Sequence, residues 1–200
     1  MYPGKYAEQN PDRSAFVMAA TGERVSYQEF EARSNRVAHY LADKGLGFQD
    51  HYSIFMENNN RYLESCAAGE RSGLYFTCIN SFLTSDELAY IINNSESQIL
   101  ITSMSKLEAA QEALAQCTAI KEVLVVGAGD ADLPEGMSDF ESTLSKYPET
   151  PLERELLGAA MLYSSGTTGR PKGIVRPLPE QSPNEPLPVI GFLSGLWRYR

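Results

Sequence analysis

Residues 161–173 read Met-Leu-Tyr-Ser-Ser-Gly-Thr-Thr-Gly-Arg-Pro-Lys-Gly. The apolar run Ala159 to Tyr163 leads into three glycines, the hydroxyls of Ser164, Ser165, Thr167 and Thr168, one proline and Lys172. Gly166, Gly169 and Gly173 allow positive φ and a close approach of backbone to a ligand. Successive backbone N–H groups in such a turn form a concave nest for an anion. The hydroxyls add donors for phosphate oxygens, and a threonine such as Thr167 can also reach a magnesium ion carried by those phosphates. Lys172 supplies a positive point charge. Together these groups suit a polyphosphate. The segment is not a Walker A loop, because Gly166 to Gly173 lacks the Gly-Lys-Ser/Thr order that precedes a helix. Ile174-Val175 is β-branched and runs toward Pro177, so the loop is expected to join strand to strand.

No other segment offers comparable chemistry. Gly127-Ala-Gly-Asp130 lacks the third glycine of a dinucleotide fingerprint, since position 132 is Asp132, and no helix starts directly after it. His39 and His51 are the only histidines, too few for a multi-histidine metal centre. Cys66, Cys78 and Cys117 are widely spaced with no CxxC, a pattern of a reducing compartment and not of a disulfide framework or zinc site. The formal net charge is −9, which argues against a nucleic-acid partner. The charge is uneven: residues 170–200 hold five basic and two acidic side chains, against 12 and 24 in residues 1–169. The basic excess therefore coincides with the hydroxyl-rich loop. No apolar run reaches the ~18 residues of a transmembrane segment. No apolar core follows Met1, so the reading is cytoplasmic.

The elements that must position the loop are legible from spacing. Residues 15–19 and 24–27 flank Thr-Gly-Glu as a short hairpin. Ser26 and Glu29 form a capping box, and Phe30, Ser34, Val37, Ala38 and Leu41 continue at helical spacing toward Lys44 and Gly45. Strands are expected at Tyr52–Met56, Leu74–Ile79, Gln98–Thr102 and Glu122–Val126. Helices are expected at Asn60–Arg71, after the Thr84/Glu87 box, after Ser105/Glu108, and after Ser138/Glu141. Such alternation implies βαβ units and an α/β fold, with a mixed, mainly parallel sheet covered by helices on both faces. Residues 177–188 contain five prolines and form a connector that is neither helix nor central strand. Val189, Phe192, Leu193, Leu196 and Trp197 then begin a helix that stops without a cap, as in a truncated chain.

Tyr163-Ser-Ser-Gly-Thr-Thr-Gly-Arg-Pro-Lys-Gly173 closely resembles the phosphate-binding signature of the AMP-forming adenylating enzymes. These include acyl- and aryl-CoA synthetases, firefly-type luciferases and peptide-synthetase adenylation domains. Ser164 stands where the family usually has threonine. The likeness extends upstream through Asn10-Pro-Asp-Arg-Ser-Ala-Phe16, Val25-Ser-Tyr-Gln-Glu-Phe30, Gly73 to Asn80 and Leu83 to Leu88, with Cys78 where proline is more usual. The resemblance implies that residues 1–176 are the N-terminal α/β part of an adenylation domain, with the phosphate loop at 163–173. It implies a ligase that joins a carboxylic acid, fatty-acid-like by preference, to AMP from Mg·ATP and then to coenzyme A. By motif match, Ser164, Ser165, Gly166, Thr167, Thr168, Gly169 and Lys172 would hold the phosphates, with Thr167 near the ATP-bound Mg. No catalytic residue of this chain is assigned, because the family's remaining site residues lie downstream of the signature.

Two further readings stand beside this one. The chain could be a non-catalytic fragment, or an adenylating enzyme of another kind such as an aryl-CoA ligase. A phosphate-binding module unrelated to adenylation fits the loop order poorly. Gly195-Leu-Trp-Arg-Tyr after the connector is closer to bacterial fatty-acyl-CoA ligases. The coding sequence beyond Arg200 separates the first two readings: an immediate stop favours the fragment, whereas an aromatic-Gly-x-Thr-Glu segment favours the enzyme. The 200 residues alone are expected to be inactive, and their uncovered terminal helix to drive association, including homo-oligomer formation.

Overall fold

The computed structural model describes residues 2–164, 170–185, 192 and 196. Its centre is a six-stranded sheet in which every pairing is parallel. The chain opens with a short helix, α1 (Gly4–Gln9), and an antiparallel ribbon of β1 (Ser14–Val17) and β2 (Arg24–Ser26). There follow α2 (Tyr27–Asp43), β3 (His51–Phe55), α3 (Asn60–Ser72), β4 (Tyr75–Cys78) and α4 (Ser85–Asn94). Then come β5 (Ile99–Ser103), a single 3₁₀ turn at Met104–Lys106, α5 (Leu107–Leu114), β6 (Glu122–Val126), β7 (Met137–Asp139) and α6 (Phe140–Leu144). The described chain closes with β8 (Ala159–Ala160), β9 (Leu162–Ser164) and β10 (Lys172–Ile174). The sheet order is β7-β6-β5-β3-β4-β8, and β9 and β10 form a separate antiparallel ribbon.

Alternation along each strand builds a core on both faces. Ile99 and Ile101 of β5, with Tyr52 and Ile54 of β3, pack with Val37, Ala38 and Leu41 of α2, Cys66 and Ala68 of α3, and Phe140 and Leu144 of α6. Leu100 of β5, with Val123 and Val125 of β6, faces the other way into Leu88, Ile91 and Ile92 of α4 and Ala110 and Ala113 of α5. This three-layer arrangement explains why the strands read as nearly unbroken apolar runs.

Local chemistry fixes the helix starts. Ser26 caps α2 and Thr84 caps α4, each in a reciprocal box with Glu29 or Glu87. The same spacing at two other expected helix starts, Ser105/Glu108 and Ser138/Glu141, forms no box. The Ser105 hydroxyl donates to Glu57 at the end of β3, so α5 starts without a side-chain cap. Ser138 lies within β7, and Asp139 caps α6 instead by accepting from the Ser142 N–H at 2.7 Å. The short α1 and β7 carry too few residues to show a period and were not expected. The apolar run Ala159–Tyr163 is divided between two strands: β8 pairs with β4, and the chain leaves the sheet at Met161 to begin β9. Gly158 has no substitute at the start of β8. A Cβ there would lie 2.1 Å from the Gly69 carbonyl oxygen and 2.5 Å from that of Leu74.

Residues 177–185 contain neither helix nor strand. They fold back along the edge of the sheet: Leu178 is buried beside Tyr75 and Met161, and the Gln181 carbonyl accepts from the Leu157 N–H at 2.9 Å. Phe192 and Leu196 are helical and exposed. The rest of the expected terminal helix lies outside the described residues. No described helix is long and apolar enough to cross a membrane.

Candidate phosphate-binding hairpin

β8 runs parallel to β4, so the chain leaves it at the carboxyl edge of the sheet, where ligands of open α/β sheets bind. There β9 and β10 pair with Lys172 opposite Ser164, Gly173 opposite Tyr163 and Ile174 opposite Leu162. The glycine- and hydroxyl-rich segment is thus the connection of a hairpin, as its β-branched exit predicts. Directly opposed residues point to the same face of an antiparallel pair. Ser164 and Lys172 therefore share one face with Leu162 and Ile174, and all four are exposed. Ser165, Gly166, Thr167, Thr168 and Gly169 lie outside the described residues.

The opposite face is anchored. The Tyr163 hydroxyl donates to Asn94 Oδ1 of α4 at 2.8 Å, and burial, with Tyr90 nearby, pushes its pKa up to about 12. The Tyr90 hydroxyl, one turn earlier on α4, donates to the Pro171 carbonyl at 3.0 Å. The Arg170 guanidinium lies over the Tyr90 ring, 5.1 Å from its centroid. Gly173 makes room beneath: a Cβ there would sit 2.4 Å from Met161 Cε and 3.1 Å from Tyr163 Cζ. So α4 holds both sides of the turn, through Asn94 and Tyr90, while Ser164 and Lys172 face outward. Tyr90 and Asn94 carry no motif, and nothing in their local sequence marks them.

The sheet has a second feature at its carboxyl edge. The chain steps from β3 to β4 on one side and then crosses to β5 on the other, so connections reverse between β3 and β5. There Glu57 accepts hydrogen bonds from the Ser103 hydroxyl at 2.6 Å and from that of Ser105. Burial raises its pKa, but these hydroxyls outweigh it and hold the carboxyl below the usual range. Two buried charged groups are tied into structure. Arg71 is fully buried against Glu31 and Glu155, and Glu64 is buried between Arg33 and Arg61. The histidines are apart: His39 contacts the Thr150 carbonyl, and His51 stacks on Tyr75. Among the described residues no three metal-ligating side chains converge.

Comparison with known proteins matches this geometry to a family. The sequence profile described as AMP-binding enzyme covers residues 5–178. A 3-oxocholest-4-en-26-oate--CoA ligase of Rhodococcus rhodochrous is 32% identical over 169 residues, covering 82% of this chain and 30% of the relative. A long-chain-fatty-acid--CoA ligase of Thermus thermophilus is 29% identical over 157 residues, covering 78% and 28%. Among solved structures, the anthranilate CoA ligase AuaEII in complex with anthranoyl-AMP aligns with a TM-score of 0.72 at 20% identity, over 86% of this chain and 33% of that one. The chain thus spans about a third or less of the length of these relatives. On the profile match over residues 5–178, with its hairpin and parallel sheet, this chain belongs to the AMP-binding enzyme family.

Proposed function

We propose that these residues are the phosphate-gripping N-terminal part of an AMP-forming acyl-CoA synthetase. In its first step a carboxylate oxygen attacks the α-phosphorus of Mg·ATP. The bond to the bridging oxygen breaks, acyl-AMP forms and pyrophosphate leaves. In the second step the thiol of coenzyme A attacks the acyl carbonyl and AMP departs. Negative charge builds on the β- and γ-phosphates as the first step proceeds, and fixed donors aimed there lower its barrier. Lys172 and Ser164, with Ser165, Thr167, Thr168 and the amides of Gly166 and Gly169, are the donors this reading uses. Thr167 is the residue it sets beside the magnesium of Mg·ATP. The observation that carries the proposal is the register of β9 and β10, which sets Lys172 directly across from Ser164 at the mouth of the turn.

The relatives' names support a choice of substrate class. One is a ligase for a sterol side-chain acid and another for long-chain fatty acids. We therefore propose a large, apolar carboxylic acid in preference to an aromatic one. Cytoplasmic residence belongs to the same reading, supported by three free cysteines. The test is ATP–pyrophosphate exchange with fatty, sterol-derived and aromatic acids, run on the polypeptide encoded by the uninterrupted reading frame that contains residues 1–200. Exchange that requires a fatty or sterol-derived acid and collapses in Lys172→Ala supports the proposal. Exchange that is independent of carboxylate, or indifferent to Lys172, overturns it.

A further inference from the structure

Cys66 and Cys78 are 12 positions apart in sequence, and the fold brings their sulfurs to 3.6 Å. Cys66 lies on the sheet-facing side of α3 and is only 5% exposed. Cys78 is the last residue of β4 and is exposed at the carboxyl edge of the sheet. We propose that Cys66 and Cys78 are a peroxide-responsive dithiol, in which exposed Cys78 is oxidised first and buried Cys66 resolves it as a reversible disulfide.

The geometry assigns the two roles. Reactivity toward peroxide requires a thiolate that is both stabilised and accessible. The contact with the Cys66 sulfur lowers the Cys78 pKa against the cost of burial. The same contact with Cys78, followed by burial, pushes the Cys66 thiol up. Cys66 is buried and Cys78 exposed, so Cys78 is the sulfur that peroxide reaches first. The Cys78 thiolate attacks hydrogen peroxide: an S–O bond forms, the O–O bond breaks, and the departing hydroxide takes up a proton as water. The Cys66 sulfur then attacks the sulfur of the resulting sulfenic acid. An S–S bond forms, the S–O bond breaks, and hydroxide leaves with the Cys66 proton as a second water. Two thiols are oxidised and one peroxide is reduced. Closing 3.6 Å to a disulfide length requires an approach of about 1.5 Å, within the swing of an exposed side chain at a strand end. Cys117 has neither feature: its thiol points at the Ala113 carbonyl, 3.3 Å away, and burial raises its pKa.

The experiment needs no variant at its core. The reduced 200-residue protein is treated with hydrogen peroxide at neutral pH, quenched with catalase, alkylated with iodoacetamide and digested with trypsin. Cleavage after Arg71 puts Cys66 and Cys78 in different peptides. The expected product is a linked pair of those peptides, abolished by dithiothreitol, with Cys117 still alkylated. Exposed Cys78 in the untreated protein should also alkylate faster than Cys117, whose pKa burial raises. In Cys66→Ser, dimedone should trap a sulfenic acid on Cys78; in Cys78→Ser neither the link nor the label should form. Far-UV circular dichroism checks that both variants fold. Oxidation falling first on Cys117, or a folded wild-type protein that forms no Cys66–Cys78 link, overturns the proposal.

Discussion

Lys172 is the residue on which the phosphate reading turns, and its position explains why it is free to act. It is exposed, opposite Ser164, on the face of the hairpin that α4 does not touch. Lys172→Ala should weaken binding of Mg·ATP by ~1–3 kcal/mol, or about five- to 150-fold in Kd, measured by calorimetry. Because the hairpin's packing uses the other face, the thermal midpoint should barely move. Gly158 and Gly173 respond differently to the same added methyl. At Gly173 the clash is with Met161 Cε, the end of a flexible side chain, so Gly173→Ala should cost about 1–3 kcal/mol in urea unfolding. At Gly158 the clash is with two carbonyl oxygens that cannot turn aside, so Gly158→Ala should cost more or prevent folding. Gly173 was legible in the sequence because it closes a recognisable loop. Gly158 was not, since its partners at Gly69 and Leu74 lie far off in the chain.

At the scale of elements, identical local spelling had different outcomes. Ser26/Glu29 and Thr84/Glu87 read as capping boxes, and Ser105/Glu108 and Ser138/Glu141 show the same spacing at expected helix starts, yet only the first two form boxes. Ser105 is drawn to Glu57, 48 positions away, and Asp139 supplants Ser138. A capping box is visible locally, but competition from a distant carboxylate is not. Thr84→Ala should therefore destabilise by about 1 kcal/mol as a lost cap. The effect of Ser105→Ala should follow pH instead. Glu57 titrates below its ordinary value when folded, so the stability it contributes is present above the ordinary carboxylate range and is lost as pH falls through its folded pKa. Removing both hydroxyls in a Ser103→Ala/Ser105→Ala variant should open a stability gap from wild type at neutral pH. That gap should close on acidification, as read by urea midpoints across the acid range. The inner strands β3, β4, β5 and β6 were the most legible elements, because burial on both faces makes them largely apolar. The anchors of the candidate hairpin were the least legible, because Tyr90 and Asn94 act from a helix some 70 residues upstream.

For the whole molecule, the relatives are about three times longer than the span this chain matches. The proposed function draws only a grip for a phosphate tail from residues 1–200, and no described group is assigned to the base or the carboxylate. Full positioning of reactants is worth ~7–11 kcal/mol of barrier. The 200-residue protein should accordingly bind Mg·ATP weakly and show no carboxylate-dependent pyrophosphate exchange. Phe192 and Leu196 are 67% and 61% exposed, and Leu162, Ile174 and Val175, on and beside the hairpin, are about half exposed at 53%, 48% and 49%. Large apolar side chains left in water favour association. Light scattering coupled to gel filtration should show species larger than a monomer, reduced by a Phe192→Ser/Leu196→Ser pair.

The form of that association follows from the ends of the central sheet. Its outer strands are β7, three residues long, and β8, two residues long. The backbone entering β8 is already engaged by the segment that returns through Gln181. A sheet with such short margins offers almost no free row of amides on which a second chain could extend the hydrogen-bond ladder. Self-association should therefore be amorphous, dissolving in mild detergent and leaving thioflavin T dark, whereas fibrils with a cross-β spacing would mean that the sheet had first come apart.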